Sequence, residues 1–295
     1  MRFLAEPRDL DALAVFSGFS PTRLGDVLAV LEEHGVIEQQ DGSVRLSPPF
    51  EALDADDAWV TLSDVLDRAT MMSRLVRAAV EKPGPVPSSE TYALVIARAF
   101  GGRTTRIARE LYAQLLAELP EAVEAIRSGR WLDVGCGVAG TTLTMATMLP
   151  EMRAVAIELV PTVAAETVRR AEALGVTDRV DVRCMDARDY DEQDAFVGAF
   201  WAQPFFPEPT RAATLGMIRR ALKPGGLLLV QEMEREPQDA GRSAYALRRL
   251  VYQGWEVPFG RPAEQLVAEA QAAGFELVRL AATAFGRFAL LRRPA

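Results

Sequence analysis

A glycine-rich turn in the second half of the chain is the first feature with chemical meaning. The run GCGVAG at 135–140 matches G-x-G-x-x-G and follows the apolar segment WLDV directly. Glycine suits such a turn because the backbone there needs unusual angles and because a ligand must approach it closely. The motif alone does not choose a ligand, since nicotinamide and flavin enzymes also carry it.

Three acidic residues narrow the choice of ligand. Asp133 precedes the turn, and a carboxylate there favours a cationic ammonium group and would repel a pyrophosphate. Glu158 ends the next apolar run, where an acid can accept hydrogen bonds from both hydroxyls of a ribose. Asp186 ends the third run and could accept a hydrogen bond from an adenine amino group, with Leu159 or Met185 packed on the ring.

These residues require a parallel sheet to bring them together. From Arg130 onward strand patterns alternate with helix patterns, which is typical of an α/β domain with helices on both faces of the sheet. The carboxyl ends of parallel strands lie along one edge, so the three acids would line one crevice. The predicted strands are WLDVGCG, RAVAIELV, VDVRCMD, AFVGAFWAQ, GLLLVQEM, ELVRLAAT and RFALLRR.

The N-terminal segment has a different pattern. Residues 8–19 predict a helix, Ser20 and Pro21 begin a second helix, and the dipeptide Asp41-Gly42 predicts a hairpin. This order is the outline of a winged helix. We therefore predict a mainly helical, winged-helix-like domain over 1–85, linking helices over 86–128 and the α/β domain over 129–295.

Composition restricts the class of protein. The 295 residues are 49% hydrophobic with a net charge of −8, and residues 1–90 hold 16 acidic and 8 basic residues, which account for that charge. An acidic module is a poor nucleic-acid binder.

We expect no metal site from the two separated cysteines. With no signal peptide and no run of ~18 apolar residues, the expected protein is cytoplasmic and not bound to membranes.

Four motifs resemble the Rossmann-like (class I) S-adenosylmethionine-dependent methyltransferases: LDVGCG, IE after the second strand, MDA after the third, and ALKPGG before the fifth. The resemblance implies the sheet order 3-2-1-4-5-7-6, with S-adenosylmethionine as cofactor and S-adenosylhomocysteine as product. The N-terminal module resembles that of small-molecule O-methyltransferases of secondary metabolism, which implies a homodimer formed through it. The predicted cofactor contacts are Asp133, Gly135, Gly137, Glu158, Leu159, Asp186, Ala187, Phe200 and Tyr92.

The acceptor side is expected after the fourth and fifth strands, where aromatic residues suit a flat or apolar small molecule. His34 is the one histidine and lies in the N-terminal segment, so no histidine base is expected. Glu232 is the first choice for a base, with a salt bridge to a nearby arginine as its alternative role, and Tyr252 is the second choice. The predicted acceptor contacts are Trp201, Gln203, Phe205, Phe206 and Trp255.

Other functions remain open. A ligand-sensing DNA regulator is disfavoured because residues 21–37 set Arg23 against Asp26, Glu32 and Glu33. A nicotinamide oxidoreductase would need a Tyr-Lys pair or a histidine near the cofactor. A relative that binds S-adenosylmethionine but does not methylate is a further alternative. The sequence leaves open the acceptor and whether oxygen, nitrogen or carbon is methylated.

Overall fold

The computed structural model describes residues 2–81, 85–86, 88–238 and 241–295. The chain divides into two compact units, Met1–Leu66 and Asp67–Ala295. The division falls inside helix α4 (Leu62–Glu81), ahead of the boundary at residue 85 that the sequence predicts. No described helix combines the length and the apolar character needed to cross a membrane.

The first unit contains two capped helices followed by a hairpin. Asp9 accepts a hydrogen bond from the N–H of Ala12 and begins the first helix, and Ser20 caps the second in the same way. Its elements are β1 (Arg8–Asp9), α1 (Leu10–Ser17), α2 (Pro21–Glu33), β2 (Ile37–Gln40), β3 (Ser43–Leu46) and α3 (Pro48–Asp54), preceded by a 3-10 turn at Arg2–Leu4.

The hairpin of the first unit forms where the sequence predicts it. Asp41 and Gly42 both have positive φ, 53° and 75°, as a tight two-residue turn requires. Strand β3 pairs antiparallel with β2, as the predicted hairpin requires. It also pairs antiparallel with the short strand β1, which the sequence analysis did not predict. The buried core of this unit consists of Leu13, Leu24, Leu28, Ile37, Val44 and Leu46.

The second unit alternates strands and helices. Ahead of its first strand it has α5 (Glu90–Phe100), α6 (Arg106–Glu118) and α7 (Pro120–Ser128). Its strands are β4 (Arg130–Val134), β5 (Arg153–Glu158), β6 (Val180–Cys184), β7 (Phe196–Trp201), β8 (Leu222–Gln231), β9 (Glu276–Thr283) and β10 (Gly286–Arg292). Its later helices are α8 (Gly140–Met148), α9 (Pro161–Ala173), α10 (Glu208–Ala221), α11 (Arg242–Gly254) and α12 (Ala263–Ala272).

The seven strands form one sheet in the order β6-β5-β4-β7-β8-β10-β9. Strand β10 runs antiparallel to both of its neighbours, and the other pairings among β4 to β8 are parallel. Counted from β4, this is the order 3-2-1-4-5-7-6, so the predicted Rossmann-like fold is confirmed. The strand order reverses at β4, which places a crevice at the carboxyl ends of β4, β5 and β7.

Candidate active site

The glycine turn leaves the sheet at the end of β4. Gly135 and Gly137 have φ values of 74° and 57°, in the left-handed region where glycine is favoured, and Ala139 also has a positive φ of 50°. The N–H groups of Gly135 and Cys136 both donate to the carbonyl oxygen of Ile157 at 3.0 Å. The turn is thus tied to the neighbouring strand β5, and α8 begins directly after it.

Close packing at Gly140 is a second reason for glycine in this turn, and the sequence analysis missed it. A Cβ atom at Gly140 would lie 2.5 Å from the carbonyl oxygen of Gly102 and 2.8 Å from the carbonyl carbon of Gly101. The backbone after α5 therefore lies against the start of α8. Arg170 holds this segment by donating to the carbonyl oxygens of Gly101 and Gly102 at 2.8 and 3.3 Å. The Gly-Gly dipeptide was the available sequence signal.

Asp133 is a buried carboxylate behind the glycine turn. Its Oδ2 accepts a hydrogen bond from the hydroxyl of Thr142 at 2.6 Å, while its Oδ1 is buried without any partner. Burial raises the pKa of Asp133 to about 7, against the lowering effect of the Thr142 bond, and the charge of Glu158 raises it further. A buried acceptor oxygen without a donor is costly, which indicates that a donor is missing from this place.

Glu158 bridges the glycine turn and the end of β5. Its Oε2 accepts from the N–H of Gly137 and its Oε1 from the N–H of Val160, both at 2.9 Å. Burial raises the pKa of Glu158, and these two backbone donors oppose that effect. The next residue, Leu159, is 62% exposed at the same edge of the sheet. An exposed leucine beside a buried carboxylate offers an apolar surface for a ring.

The third predicted acid already has a partner. Both carboxylate oxygens of Asp186 accept from the guanidinium of Arg188, Oδ1 at 3.0 Å and Oδ2 at 2.6 Å, and this hydrogen bonding lowers the pKa of Asp186. Asp186 also caps the short 3-10 turn Ala187–Asp189. A ligand amino group would compete with Arg188 for this carboxylate. Ala187, the next residue in the chain, is buried.

Phe200 and Tyr92, the two aromatic residues predicted to contact the cofactor, pack in different surroundings. Phe200 is half-buried in β7 and lies in register opposite Asp133 of β4, beside the glycine turn. Tyr92 packs against the apolar cluster that contains Met71 and Val251. A Cβ atom at Gly137 would lie 3.7 Å from the Cβ of Ala97, so Ala97 is a residue of α5 beside the turn that the sequence reasoning missed.

Two of the predicted acceptor residues belong to the core. Trp201 is buried in the main hydrophobic cluster, with Arg211 stacked 4.6 Å from its ring centroid. Gln203 is buried as well, and its Oε1 accepts from Arg211 at 3.1 Å. Arg211 in turn donates to both carboxylate oxygens of Glu269, at 2.6 and 2.8 Å. These side chains hold the segment after β7 in place, and in this arrangement Trp201 offers no surface to an acceptor.

Glu232 has the structural role that the sequence analysis named as its alternative. Its side chain is 6% exposed and pairs with Arg287 at 3.1 Å. The same Oε2 accepts from the N–H of Ala263 at 3.2 Å, at the beginning of α12. A carboxylate with these two partners joins β8, β10 and α12, and its contacts argue against a role as general base.

Aromatic rings of the second unit form a continuous group, here called the aromatic cluster: Phe100, Phe205, Tyr245, Tyr252, Trp255 and Phe259. Their successive ring centroids lie 4.9 to 5.8 Å apart. Part of the cluster walls a narrow pocket. This pocket is lined by Gln203, Pro204, Met233, Glu234, Tyr252, Pro258, Phe259, Gly260 and Arg261.

Tyr252 is not suited to accept a proton. Burial raises the pKa of its hydroxyl, and the nearby carboxylate of Glu234 raises it further. The hydroxyl therefore stays protonated at neutral pH and can only act as a donor or as a weak acceptor. Glu234 is itself held by Arg248 through three hydrogen bonds of 2.9 to 3.2 Å.

Phe205, Phe206 and Trp255 keep partial exposure. Phe206 packs on the glycine turn, because a Cβ atom at Gly135 would lie 2.6 Å from its ring. Phe206, predicted as an acceptor contact, therefore lies against Gly135, which is a predicted cofactor contact. Among the residues that the structure describes, no group of three or more His, Cys, Asp or Glu side chains could hold a metal ion.

Known proteins share both the domain and the fold. Residues 132–226 match the family described as "Methyltransferase domain". Comparison with curated proteins gives no match. An O-methyltransferase family protein from Burkholderia thailandensis has 14% identity and a TM-score of 0.73, with 99% of this chain and 90% of that chain covered.

Two further solved structures show the same fold. An O-methyltransferase from neocarzinostatin biosynthesis, in complex with S-adenosylmethionine and 2-hydroxy-5-methyl naphthoic acid, has 17% identity and a TM-score of 0.68, covering 96% of this chain and 89% of that chain. An N,N-8-amino-8-demethyl-D-riboflavin dimethyltransferase from Streptomyces davawensis has 19% identity and a TM-score of 0.63, covering 100% and 91%. Residues 132–226 therefore match a methyltransferase domain, and the chain shares the Rossmann-like fold of these solved structures.

Proposed function

We propose that this protein binds S-adenosylmethionine at the carboxyl ends of β4, β5 and β6 and transfers its methyl group to a small aromatic acceptor. The observation that carries the proposal is the partnerless buried Oδ1 of Asp133 behind the glycine turn. An amino-acid ammonium is a donor of the right charge for this oxygen. A pyrophosphate has no proton to donate and would be repelled by Asp133 and Glu158.

The residues of the crevice fit the parts of this cofactor. Asp133 would hold the ammonium, and Glu158 would accept from the ribose hydroxyls. Leu159 would pack on the adenine, with Asp186 and Ala187 at the ring's edge. When bound, S-adenosylmethionine supplies a methyl group on a positively charged sulfur. The chain's part is then to align the acceptor with that methyl group and to exclude water.

The aromatic cluster is the proposed acceptor surface. Phe205 and Phe100, whose ring centroids are 5.8 Å apart, connect it with the segment that covers the glycine turn. A flat acceptor packed on these rings would be held by burial and ring stacking. With Glu232 paired and Tyr252 protonated, we propose that orientation does most of the work and that the acceptor arrives nucleophilic without a histidine base.

A role in natural-product biosynthesis is part of this proposal. The similar O-methyltransferase comes from neocarzinostatin biosynthesis, and the similar dimethyltransferase acts on an amino group of a riboflavin derivative. The naphthoic acid and the riboflavin derivative named with these two proteins are flat aromatic molecules, which the aromatic cluster of this chain would suit. Because one is an O-methyltransferase and the other an N-methyltransferase, the fold does not choose the acceptor atom.

We also propose that two copies associate through the first unit. Its helix α1 exposes Leu10, Val15 and Phe16, and Val15 is 85% exposed. A patch of this kind favours association. Light scattering should show a dimer that Val15→Glu weakens and Val80→Glu, at a 72% exposed valine of α4, does not. A monomer in the unaltered protein would refute this part.

Methyl transfer is tested by incubating the protein with methyl-labelled S-adenosylmethionine and a panel of aromatic phenols, amines and acids. We expect acceptor-dependent formation of S-adenosylhomocysteine and label on one class of acceptor. If the protein binds S-adenosylhomocysteine but gives no product with aromatic or aliphatic acceptors, the methyltransferase assignment fails and another use of the cofactor replaces it.

A further inference from the structure

Arg68 lies at the edge of the aromatic cluster. It belongs to the second unit, in α4, and its Cζ lies 4.8 Å from the ring centroid of Phe100. The side chain is half-buried. Among the residues that the structure describes, it makes no hydrogen bond or ion pair. A guanidinium stacked on a ring keeps its N–H groups free to donate in the plane of the stack.

The position of Arg68 connects it with the proposed acceptor surface. Phe100 meets Phe205, which lies 5.4 Å from Tyr252, and Tyr252 lies 4.9 Å from Phe259. The cationic group thus stands at one end of a row of rings that also walls the pocket after β7 and β8.

Apart from Arg68, the charged side chains that act on the two tyrosines of the aromatic cluster balance, Glu234 with Arg248 and Glu236 with Arg249. Burial is the main reason for the raised pKa of Tyr252, and three charged side chains also act on its hydroxyl: Glu234, Arg68 and Arg248. Glu234 and Arg248 form a hydrogen-bonded ion pair with little exposure, so together they carry no net charge. Arg261, at the other side of the pocket, pairs with Glu208 and with Glu269. Among the described residues Arg68 is left as a positive charge without a counter-ion, and the surface favours an anion.

We propose that Arg68 binds the carboxylate of an aromatic acid that packs against the aromatic cluster, which makes aromatic carboxylic acids the acceptor class. A guanidinium binds a carboxylate through two parallel hydrogen bonds, and partial burial strengthens both. Arg68 is a specificity-determining residue in this proposal, since a neutral aromatic molecule would keep the ring contacts and lose only the ion pair. The inference rests on the proposed function, because it assigns the acceptor of that same site.

The test compares two probes of equal shape, 2-hydroxybenzoate and the neutral 2-hydroxybenzamide. Each is titrated into the full-length protein with saturating S-adenosylhomocysteine at low salt, and dissociation constants are measured by ligand-observed NMR. The unaltered protein should bind the benzoate roughly tenfold or more tightly than the amide, as expected for a charge-assisted hydrogen-bond pair. Arg68→Gln should abolish this preference and leave the affinity for the amide and for S-adenosylhomocysteine unchanged.

Arg77→Gln is the matched control, because Arg77 is an exposed arginine of the same helix. It should keep the preference for the benzoate. Equal binding of both probes, no binding of the benzoate, or an unchanged preference in Arg68→Gln would overturn the proposal for Arg68. Failure to bind S-adenosylhomocysteine at all would instead overturn the proposed function, so the two failures can be told apart.

Discussion

The cofactor side and the acceptor side of the crevice are built from different contacts. At the ends of β4 and β5, Asp133 keeps one oxygen without a partner and Glu158 bonds only to backbone N–H groups of the turn and the next segment. At the ends of β7 and β8, the charged side chains are already paired, as Glu232 is with Arg287. The first side has one buried carboxylate oxygen, Asp133 Oδ1, that a ligand donor could satisfy. The second offers ring surface and, within the described ranges, the guanidinium of Arg68 without an acidic partner.

The largest expected effect is on the acceptor side. Arg211→Ala removes a buried guanidinium and leaves the Glu269 carboxylate without its closest donor, so unfolding free energy should fall by about 3 kcal/mol or more. Denaturant unfolding measures this. Arg106→Ala, which removes an arginine from an exposed pair with Glu110, should cost less than about 1 kcal/mol. Equal losses in both variants would show that the internal pair does not stabilise this side.

The next effect is on the cofactor side and concerns binding. Glu158→Ala should weaken S-adenosylhomocysteine by ~2 kcal/mol, roughly thirtyfold, because two charged hydrogen bonds to the ribose are lost. Calorimetric titration gives the dissociation constant, with Glu110→Ala as an exposed control. Unchanged affinity in Glu158→Ala would remove the ribose assignment.

A smaller effect separates the two roles considered for Glu232. Arg287 pairs with Glu232, which is 6% exposed, and with Glu264, which is 63% exposed. Glu232→Ala should lower the unfolding free energy by about 1–2 kcal/mol. Glu264→Ala, at the exposed partner of the same arginine, should change it much less than Glu232→Ala does. Both variants should bind S-adenosylhomocysteine normally. A Glu232→Ala variant of full stability that has lost methyl transfer would restore Glu232 as the base.

The last effect depends on pH. Burial raises the pKa of Asp133 to about 7, so the folded protein holds this proton more tightly than the unfolded chain does. Ionisation therefore costs stability as pH rises from the usual range of an aspartate towards 7, and Asp133→Asn should gain stability relative to the unaltered protein over the same range. Thermal unfolding at pH 5 and 7.5 measures the gap, which should widen at the higher pH.

The same titration should affect binding. An ammonium group prefers ionised Asp133, so affinity for S-adenosylhomocysteine should increase between pH 6 and 7.5 in the unaltered protein. Asp133→Asn should lack that increase. A stability gap that does not change with pH, or equal pH dependence of binding in both proteins, would contradict the role given to Asp133.

The fold could be predicted from the sequence, and the cofactor contacts stay a prediction that the backbone conformation of the glycine turn supports. The apolar runs of the strands are recognisable in the sequence. They fix the positions of the glycine turn, Asp133 and Glu158 relative to the sheet. The sheet order was implied by the resemblance, and the structure confirms it. The packing of Gly101 and Gly102 on α8 was missed, because the contact joins segments about forty residues apart in the sequence and only the three-dimensional structure brings them together.

The acceptor side was predicted less well for a physical reason. Trp201, Gln203 and Glu232 have residue types that suit a site, but each is used by the core or by an ion pair with a partner far along the chain. No sequence pattern singled out Arg68, because the argument for it rests on the lack of an acidic partner among the described residues of the folded chain. Pairing of charges is a property of the folded chain.

Calorimetric titration with S-adenosylhomocysteine, S-adenosylmethionine and NAD shows whether the crevice binds a sulfonium cofactor. We expect dissociation constants on the order of micromolar for the first two and no heat for NAD. Binding of NAD, or of none of the three, would contradict it and would mean that Asp133 and Glu158 do not form a site for a sulfonium cofactor.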